Sequence, residues 1–164
     1  MLISSGKNMS DIKEKYYVER YPHFVVGERE EGADYYERPG AYIVPISDDG
    51  KFGLIRTKGG YCFMGGGKEQ GEDDFACLKR EALEESGYNI EIGEYFASAE
   101  QFKPDQTDIG YFHPMQNYYT GKLLEKVCEP VEPDHFFEWV TFFEIKDRMP
   151  IKMQRLAIEL IGDR

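Results

Sequence analysis

Three glutamates near the middle of the chain stand at a spacing that favours metal chemistry. Glu81, Glu84 and Glu85 occupy positions i, i+3 and i+4, so on a helix their carboxylates lie on one side. Like charges at this spacing repel one another, and a helix gains nothing from them alone. A hard divalent cation removes that penalty, because Mg²⁺ prefers carboxylate and water oxygens and commonly brings a phosphate with it. The three residues therefore predict a metal site.

A glycine-rich segment, Met64-Gly65-Gly66-Gly67, lies just upstream of these glutamates. Glycine has no side chain, so its backbone can approach a metal ion or a phosphate group closely. An acidic cluster alone is usually a solvated helix face. The glycine-rich segment at this distance favours a binding loop in front of an acidic helix instead.

The residues between the glycines and the end of the acidic cluster carry the signals of one amphipathic helix. Asp73 can cap its N-terminus, Asp74 adds negative charge near the positive end of the helix dipole, and Gly87 can end the helix. Apolar residues recur at spacings of three and four, which predicts a buried face. That face consists of Phe75, Ala76, Leu78, Ala82 and Leu83.

Strand-like segments precede this predicted helix. Residues 41–46 and 52–57 are apolar and β-branched runs around Asp48-Asp49-Gly50, a pattern that predicts a hairpin, with Pro45 at a strand edge or strand end. Residues 61–64 predict a short strand that leads into the glycine loop. Upstream of these, residues 16–26 have the character of a peripheral extension with a short strand.

Further elements follow the helix. Strands are predicted at 90–102, 111–124 and 137–140, a polar loop at 103–110, a short helix at 142–148 and a terminal helix at 151–161. The terminal helix is expected to bury Met153, Leu156, Leu160 and Ile161. Strands on both sides of a central helix predict a mixed sheet with helices on its faces.

The glycines, the glutamates and the residues between them match a known pattern. Gly66, Glu72, Arg80 and the run from Glu81 to Tyr88 fill every fixed position of the Nudix hydrolase (MutT-like) motif. The sequence therefore resembles a metal-dependent pyrophosphohydrolase, although Met64 stands where that family most often has proline. The resemblance implies the Nudix fold, an α/β (α+β) class fold built as an α/β/α sandwich with a mixed central sheet.

The resemblance also implies roles for individual residues. The metal ligands would be the Gly65 carbonyl, Glu81, Glu84 and Glu85, with Mg²⁺ as the cofactor and Mn²⁺ as a substitute. Glu81, Glu84 and Glu85 are also the catalytic candidates, and Glu84 would either bind a second ion or accept the proton of the attacking water. Glu72, Arg80 and Gly87 would be structural, with an ion pair between the first two.

Other residues are candidates for contacts around this centre. Gly66, Gly67, Arg56 and Lys58 are predicted to bind substrate phosphates, although the two cations also fit an ordinary exposed strand end. A further acid is expected to complete the site, with Glu132, Asp134 and Glu100 as candidates and solvated loop acids as the alternative. A nucleobase or sugar is expected near five rings, for which core packing is the alternative: Phe102, Tyr111, Phe112, His113 and Tyr118.

The expected function is hydrolysis of the phosphoanhydride bond of a nucleoside diphosphate linked to another group. A dNTP, an oxidised NTP and an ADP-ribose-like compound all remain open as substrates. The alternative is a catalytically weak Nudix-fold sensor that binds such a nucleotide. Because the 164 residues are expected to form a single domain, with residues 1–38 as an N-terminal extension and first strand, no output module is expected.

Composition excludes several other classes of function. A net charge of −11 argues against nucleic-acid partners and anionic membrane surfaces. No apolar run reaches transmembrane length, and residues 1–10 do not resemble a signal peptide. The three cysteines lack metal or disulfide spacing, which predicts reduced thiols and a cytoplasmic protein. The Nudix resemblance is compatible with a homodimer, in which Tyr16, Tyr17, Tyr21 and Phe24 would cover the interface, and the alternative is that these rings pack on their own sheet.

Overall fold

The computed structural model describes residues 21–106, 108 and 110–162, and these residues form two β-sheets and three helices. The helices are α1 (Asp74–Ser86), α2 (Phe142–Ile145) and α3 (Lys152–Gly162). The strands are β1 (His23–Val26), β2 (Tyr35–Pro45), β3 (Phe52–Thr57), β4 (Gly60–Cys62), β5 (Met64–Gly67), β6 (Tyr88–Gln101), β7 (Lys103–Gln106), β8 (Gly110–Lys126) and β9 (Phe136–Val140).

The larger sheet is mixed. Its strand order is β1-β6-β8-β2-β5, and β7 adds to β8. The pairs β1/β6 and β2/β8 are parallel, whereas β6/β8, β2/β5 and β7/β8 are antiparallel. The smaller sheet has the order β4-β3-β9 and is antiparallel throughout.

Helices cover both faces of the larger sheet. Alternate residues of a strand point to opposite faces, and Ile43 and Val44 of β2 accordingly join different apolar clusters. Ile43 packs with Leu78 and Ala82 of α1, whereas Val44 belongs to the cluster that contains Ile158 of α3. This arrangement confirms the predicted mixed sheet with helices on its faces. Among the described residues, no helix is both long enough and apolar enough to cross a membrane.

Helix α1 begins and ends where its sequence predicts. The Asp73 carboxylate accepts the backbone N–H of Ala76 at 2.8 Å, and Gly87 closes the helix in the left-handed region with φ of 79°. The predicted buried face is partly wrong, because Phe75 and Ala76 are exposed. The helix is rotated so that another set of side chains faces the sheet, one that includes a carboxylate: Cys77, Leu78, Ala82, Glu85 and Ser86.

The predicted hairpin of residues 41–46 and 52–57 is also partly wrong. The chain turns at Asp48-Asp49-Gly50, and Ile46 forms an isolated bridge with Phe52. Beyond that bridge the two strands diverge into different sheets, because β2 pairs with β5 and β8 while β3 pairs with β4 and β9. Pro45 ends β2, as expected.

The glycine-rich segment is a strand and not a loop. Residues Met64–Gly67 form β5, which pairs with β2 in a register that aligns Gly67 with Gly40 and Met64 with Ile43. The polar loop predicted at 103–110 likewise contains a strand, β7, while Thr107 and Ile109 lie outside the described residues. In both segments, pairing with a neighbouring strand overrides a locally strand-poor composition.

The remaining predicted elements are present with small differences. Strands β6, β8 and β9 and helices α2 and α3 match their predicted segments. In α3 the predicted buried face is partly wrong: Leu160 is exposed, and Gln154 is buried, where its side chain accepts the Phe63 N–H at 2.7 Å. The extension predicted at 16–26 contains β1 from His23 onward. Its residues up to 20, with Tyr16 and Tyr17, lie outside the described residues.

Candidate active site

Glu85 is the most buried of the three helix carboxylates, with 5% of its side chain exposed. One carboxylate oxygen accepts the Gly65 N–H at 2.8 Å, and the other lies 3.1 Å from Nδ1 of His135. Burial raises the pKa of Glu85 to about 8, and the charges of Glu81, Glu132 and Glu84 act in the same direction. A cation at this position would remove the cost of burying the ionised carboxylate.

Glu81 faces the glycine strand directly. Built on Gly66, a Cβ atom would lie 2.7 Å from the carboxylate carbon of Glu81, so only glycine leaves room for this side chain. Burial raises the pKa of Glu81 as well. Glu84 is more open, with 37% of its side chain exposed. Nη1 of Arg80 donates to both of these carboxylates, at 2.9 Å to Glu81 and 3.3 Å to Glu84.

Arg80 ties the helix to the residues that follow the glycine strand. Its guanidinium binds Glu72 through two contacts, 2.6 Å from Nε and 3.0 Å from Nη2, so the expected ion pair is present. The same Nη2 donates to the Gly67 carbonyl at 3.1 Å. This network fixes the position of β5 against α1, and with it the distance between the glycines and the carboxylates.

The Glu72 carboxylate should make stability depend on pH in the acid range. The hydrogen bond from Arg80, with help from the Glu69 backbone N–H, lowers the pKa of Glu72 from 4.5 to about 2. A lowered pKa in the folded state means that the stabilisation is complete above pH 4.5 and is lost as the pH falls towards 2. We expect Glu72→Gln to lower the urea midpoint at pH 7, with a deficit relative to wild type that shrinks below pH 4.5.

Glu69→Gln is the matched control for that experiment. Glu69 is an exposed glutamate 3.7 Å from the same guanidinium, and exposed pairs of this kind contribute little. Its midpoint should follow that of wild type at every pH. If Glu72→Gln lowers the urea midpoint by the same amount at every pH, the acid sensitivity does not come from this carboxylate.

The donor chemistry of the helix carboxylates fits a hard divalent ion. Glu81 and Glu85 offer carboxylate oxygens beside a glycine backbone, and such oxygens suit Mg²⁺ and Mn²⁺. Within the described part of the chain, no three side chains of the His, Cys, Asp and Glu types already converge as a closed metal cage. An ion held here would therefore take part of its coordination from backbone, water or substrate, as Mg²⁺ commonly does.

The two cations predicted to bind phosphate lie in the smaller sheet and in one of its turns. Arg56 lies in the smaller sheet, where its Nε is 2.5 Å from Glu138 and its guanidinium packs over the Phe136 ring. Lys58 is exposed in the turn between β3 and β4. Among the residues expected to bind phosphate, Gly66 faces the Glu81 carboxylate, whereas Arg56 pairs with Glu138 in the smaller sheet.

Arg38 takes the place expected for a phosphate-binding cation, and the sequence did not predict it. A Cβ atom built on Gly67 would lie 2.5 Å from Nε of Arg38, so the guanidinium packs against the glycine strand. Its positive charge lowers the pKa of Glu81, which places it near the carboxylates. The signal was missed because the first long strand was predicted to begin at Ala41, whereas β2 begins at Tyr35.

The three candidates for a further acid have different surroundings. Glu132 lies on the segment between β8 and β9, and its charge raises the pKa of Glu85. Asp134 is exposed on the same segment. Glu100 lies instead on the larger sheet, where its carboxylate oxygens are 3.0 Å from Nε2 of His113 and 3.5 Å from Nε2 of His23. On the same segment as Glu132, the His135 side chain contacts Glu85 of α1. His135 is a lone histidine that no sequence pattern identified.

The rings expected near a nucleobase or sugar pack against other aromatic rings, and Tyr111 packs edge-on against Tyr35 at 5.2 Å. Tyr118 is fully buried beside Phe63, which confirms the alternative of core packing for this residue. Phe102 stacks on the buried ring of His113 at 4.3 Å, and Phe112 stacks on Tyr36 at 5.9 Å.

Comparison with known proteins points to one family. The NUDIX domain model matches residues 36–160. A NUDIX hydrolase from Nitrosomonas europaea has a TM-score of 0.61 at 18% identity, over 80% of this chain and 74% of that one. A MutT NUDIX hydrolase from Burkholderia pseudomallei has a TM-score of 0.58 at 23% identity, over 76% and 98% of the two chains.

One similar structure is that of a protein named for an activity. An ADP-ribose pyrophosphatase from Streptococcus suis 89-1591 has a TM-score of 0.54 at 15% identity, over 76% of this chain and 87% of that one. At these identities the similar structures show the fold alone. The comparison with curated proteins gives no match.

Proposed function

This chain belongs to the NUDIX domain family and is a hydrolase that acts on phosphoanhydride bonds, and from that premise we propose its substrate class and its metal. The substrate is a nucleoside diphosphate linked to another group, either a nucleoside triphosphate, intact or oxidised, or an ADP-ribose-like compound. The cofactor is Mg²⁺, with Mn²⁺ as a substitute. The observation that carries this proposal is the buried Glu85 carboxylate, which accepts a hydrogen bond from the Gly65 N–H and lies on the same helix side as Glu81, the carboxylate that faces Gly66.

Each residue of the proposed site has a distinct role. Glu81, Glu85 and the Gly65 carbonyl would hold the ion, which when bound lowers the pKa of a water molecule and neutralises phosphate charge. Glu84 is the most open of the three carboxylates, so it is placed to accept the proton of the attacking water or to hold a second ion. Arg80 fixes the helix against the glycine strand, as its contacts with Glu72 and Gly67 support.

The test of this function is hydrolysis of a panel of nucleotides with Mg²⁺ and with chelator. The products to be measured are a nucleoside monophosphate and either pyrophosphate or a phosphorylated partner. The panel contains triphosphates, oxidised guanine nucleotides, ADP-ribose and dinucleoside polyphosphates. Metal-dependent hydrolysis of one compound would support the proposal and identify the substrate class. Tight nucleotide binding without turnover would contradict it and favour the sensor.

Arg38 is expected to contact the substrate phosphates. Arg38→Ala should raise KM about tenfold or more with a smaller change in kcat, because a charge-assisted hydrogen bond to phosphate contributes about 1.5–3 kcal/mol. Initial rates across a substrate titration measure both constants. Lys58→Ala is the control, since Lys58 lies in the exposed turn between β3 and β4. Equal effects of the two substitutions would contradict a specific contact by Arg38.

A further inference from the structure

We propose that His135 supplies a nitrogen ligand to the divalent ion held by Glu85, and that this ligand strengthens the binding of Mn²⁺ more than the binding of Mg²⁺. The inference rests on the proposed function, because it assumes that Glu85 binds a metal ion. It adds to that function a ligand that is neither a carboxylate nor part of the glycine–glutamate motif. It also attributes the ability of Mn²⁺ to substitute for Mg²⁺ to one side chain.

The distance between the two side chains fits two ligands of one ion. Nδ1 of His135 lies 3.1 Å from a carboxylate oxygen of Glu85. Two donors at neighbouring corners of an octahedron, each about 2.1 Å from the ion, stand about 3.0 Å apart. The pair can therefore accept an ion with little movement of either donor atom.

The segment that carries His135 is anchored to α1 by backbone hydrogen bonds. The segment leaves β8 and returns along the C-terminal end of α1, where the Gly87 carbonyl accepts the Val127 N–H at 2.8 Å. Further on, the Val131 N–H donates to the Glu84 carbonyl at 2.8 Å. The segment is thus bonded to the same helical turn that carries the carboxylates. Such anchoring preorganises a ligand, because little conformational freedom remains to be lost on binding.

An ion and its water ligands have a route to this pair. A cavity of about 290 Å³ opens beside Glu85 and His135, with Tyr88, Phe137 and Lys126 in its wall. The imidazole itself is partly open, with 35% of its side chain exposed. With Glu81, Glu85, the Gly65 carbonyl and His135 as ligands, an octahedral ion would keep two positions for water and phosphate.

The chemistry of the donors explains why His135 would affect the two ions differently. Both ions accept carboxylate, carbonyl and water oxygens, but Mn²⁺ belongs to the first-row transition series, whose ions also bind imidazole nitrogen, although it binds most weakly of that series. The surrounding charge is acidic, since Glu81, Glu84 and Glu132 all act on the Glu85 carboxylate. The acidic surroundings attract any divalent ion, and the nitrogen distinguishes one ion from another.

Pulsed EPR of the Mn²⁺-loaded full chain tests the inference, because a directly bound imidazole gives a ¹⁴N coupling on Mn²⁺. The wild type should show this coupling. His135→Gln should lose it and should bind Mn²⁺ about tenfold more weakly, with Mg²⁺ affinity changed less than twofold. His23→Gln is the matched control, because it removes a partly exposed histidine of β1. It should keep both the coupling and the affinity.

The outcomes separate this inference from the proposed function. Mn²⁺ binding that Glu85→Gln abolishes, without ¹⁴N coupling in the wild type, would overturn the role of His135 and leave the metal site standing. Coupling that persists in His135→Gln, or that disappears in His23→Gln, would also overturn it. If Glu85→Gln binds both ions as wild type does, the inference fails together with the metal site of the proposed function.

Discussion

Replacing Glu85 by glutamine should lower kcat about a thousandfold and leave the fold intact. The substitution removes one negative charge from the proposed ion site, and the loss of one preorganised electrostatic contact in an active site costs about 10²- to 10³-fold. The glutamine side chain keeps the shape and one carbonyl oxygen, so it can still accept the Gly65 N–H. The expected defect is therefore chemical and not structural.

Steady-state hydrolysis of the preferred substrate with saturating Mg²⁺ measures this loss, and thermal unfolding tests the fold. The unfolding temperature of the metal-free variant should not fall, because burial already disfavours the ionised form of Glu85. Glu129→Gln is the matched control, since Glu129 is an exposed glutamate in the wall of the same cavity. Unchanged Mg²⁺-dependent turnover in Glu85→Gln would refute the assignment of the ion site.

The parts of the site that the sequence predicted are those fixed by local contacts. Helix α1 has its cap at Asp73 and its end at Gly87, and both signals act within a few residues of the backbone groups that they satisfy. Glu81 and Glu85 share a helix side because of their spacing alone. The motif residues are therefore brought together by one turn and one helix.

Sheet pairing was harder to predict because it depends on distant segments. The turn at Asp48-Asp49-Gly50 carries a strong hairpin signal, and the turn forms. Strand β2 nevertheless pairs with β8, more than sixty residues away, over its whole length. Pairing with another segment also makes β5 a strand, since its glycines pair with β2 at one edge of the sheet. Local composition contains no information about these partners.

The two residues that the sequence did not identify reach the site across long stretches of chain. Arg38 meets Gly67 because β2 and β5 are paired, and His135 meets Glu85 although 50 residues separate them. Neither lies in the motif, and neither has a spacing that marks it. Sequence alone thus predicts the carboxylates of this centre, whereas the cation and the imidazole around them require the tertiary structure.

Gly66→Ala tests whether the glycine strand sets the position of Glu81, and we expect it to lower kcat about a hundredfold. The added Cβ would lie 2.7 Å from the Glu81 carboxylate carbon, a distance that real Cβ atoms essentially never show. The carboxylate is the far end of a flexible side chain, so it can move away without displacing the backbone. Stability should fall by only about 1 kcal/mol, at the low end of the cost of overpacking.

Gly59→Ala is the matched control for this substitution. A Cβ atom on Gly59 would meet nothing closer than 3.7 Å, an ordinary van der Waals contact. Kinetics and urea unfolding of both variants then separate a displaced carboxylate from a damaged fold. A large loss of turnover with nearly unchanged unfolding would show that Glu81 must stand against Gly66. If Gly66→Ala keeps full activity, the position of Glu81 against the glycine strand is not required for turnover, and the ion must be held mainly by Glu85 and its neighbours.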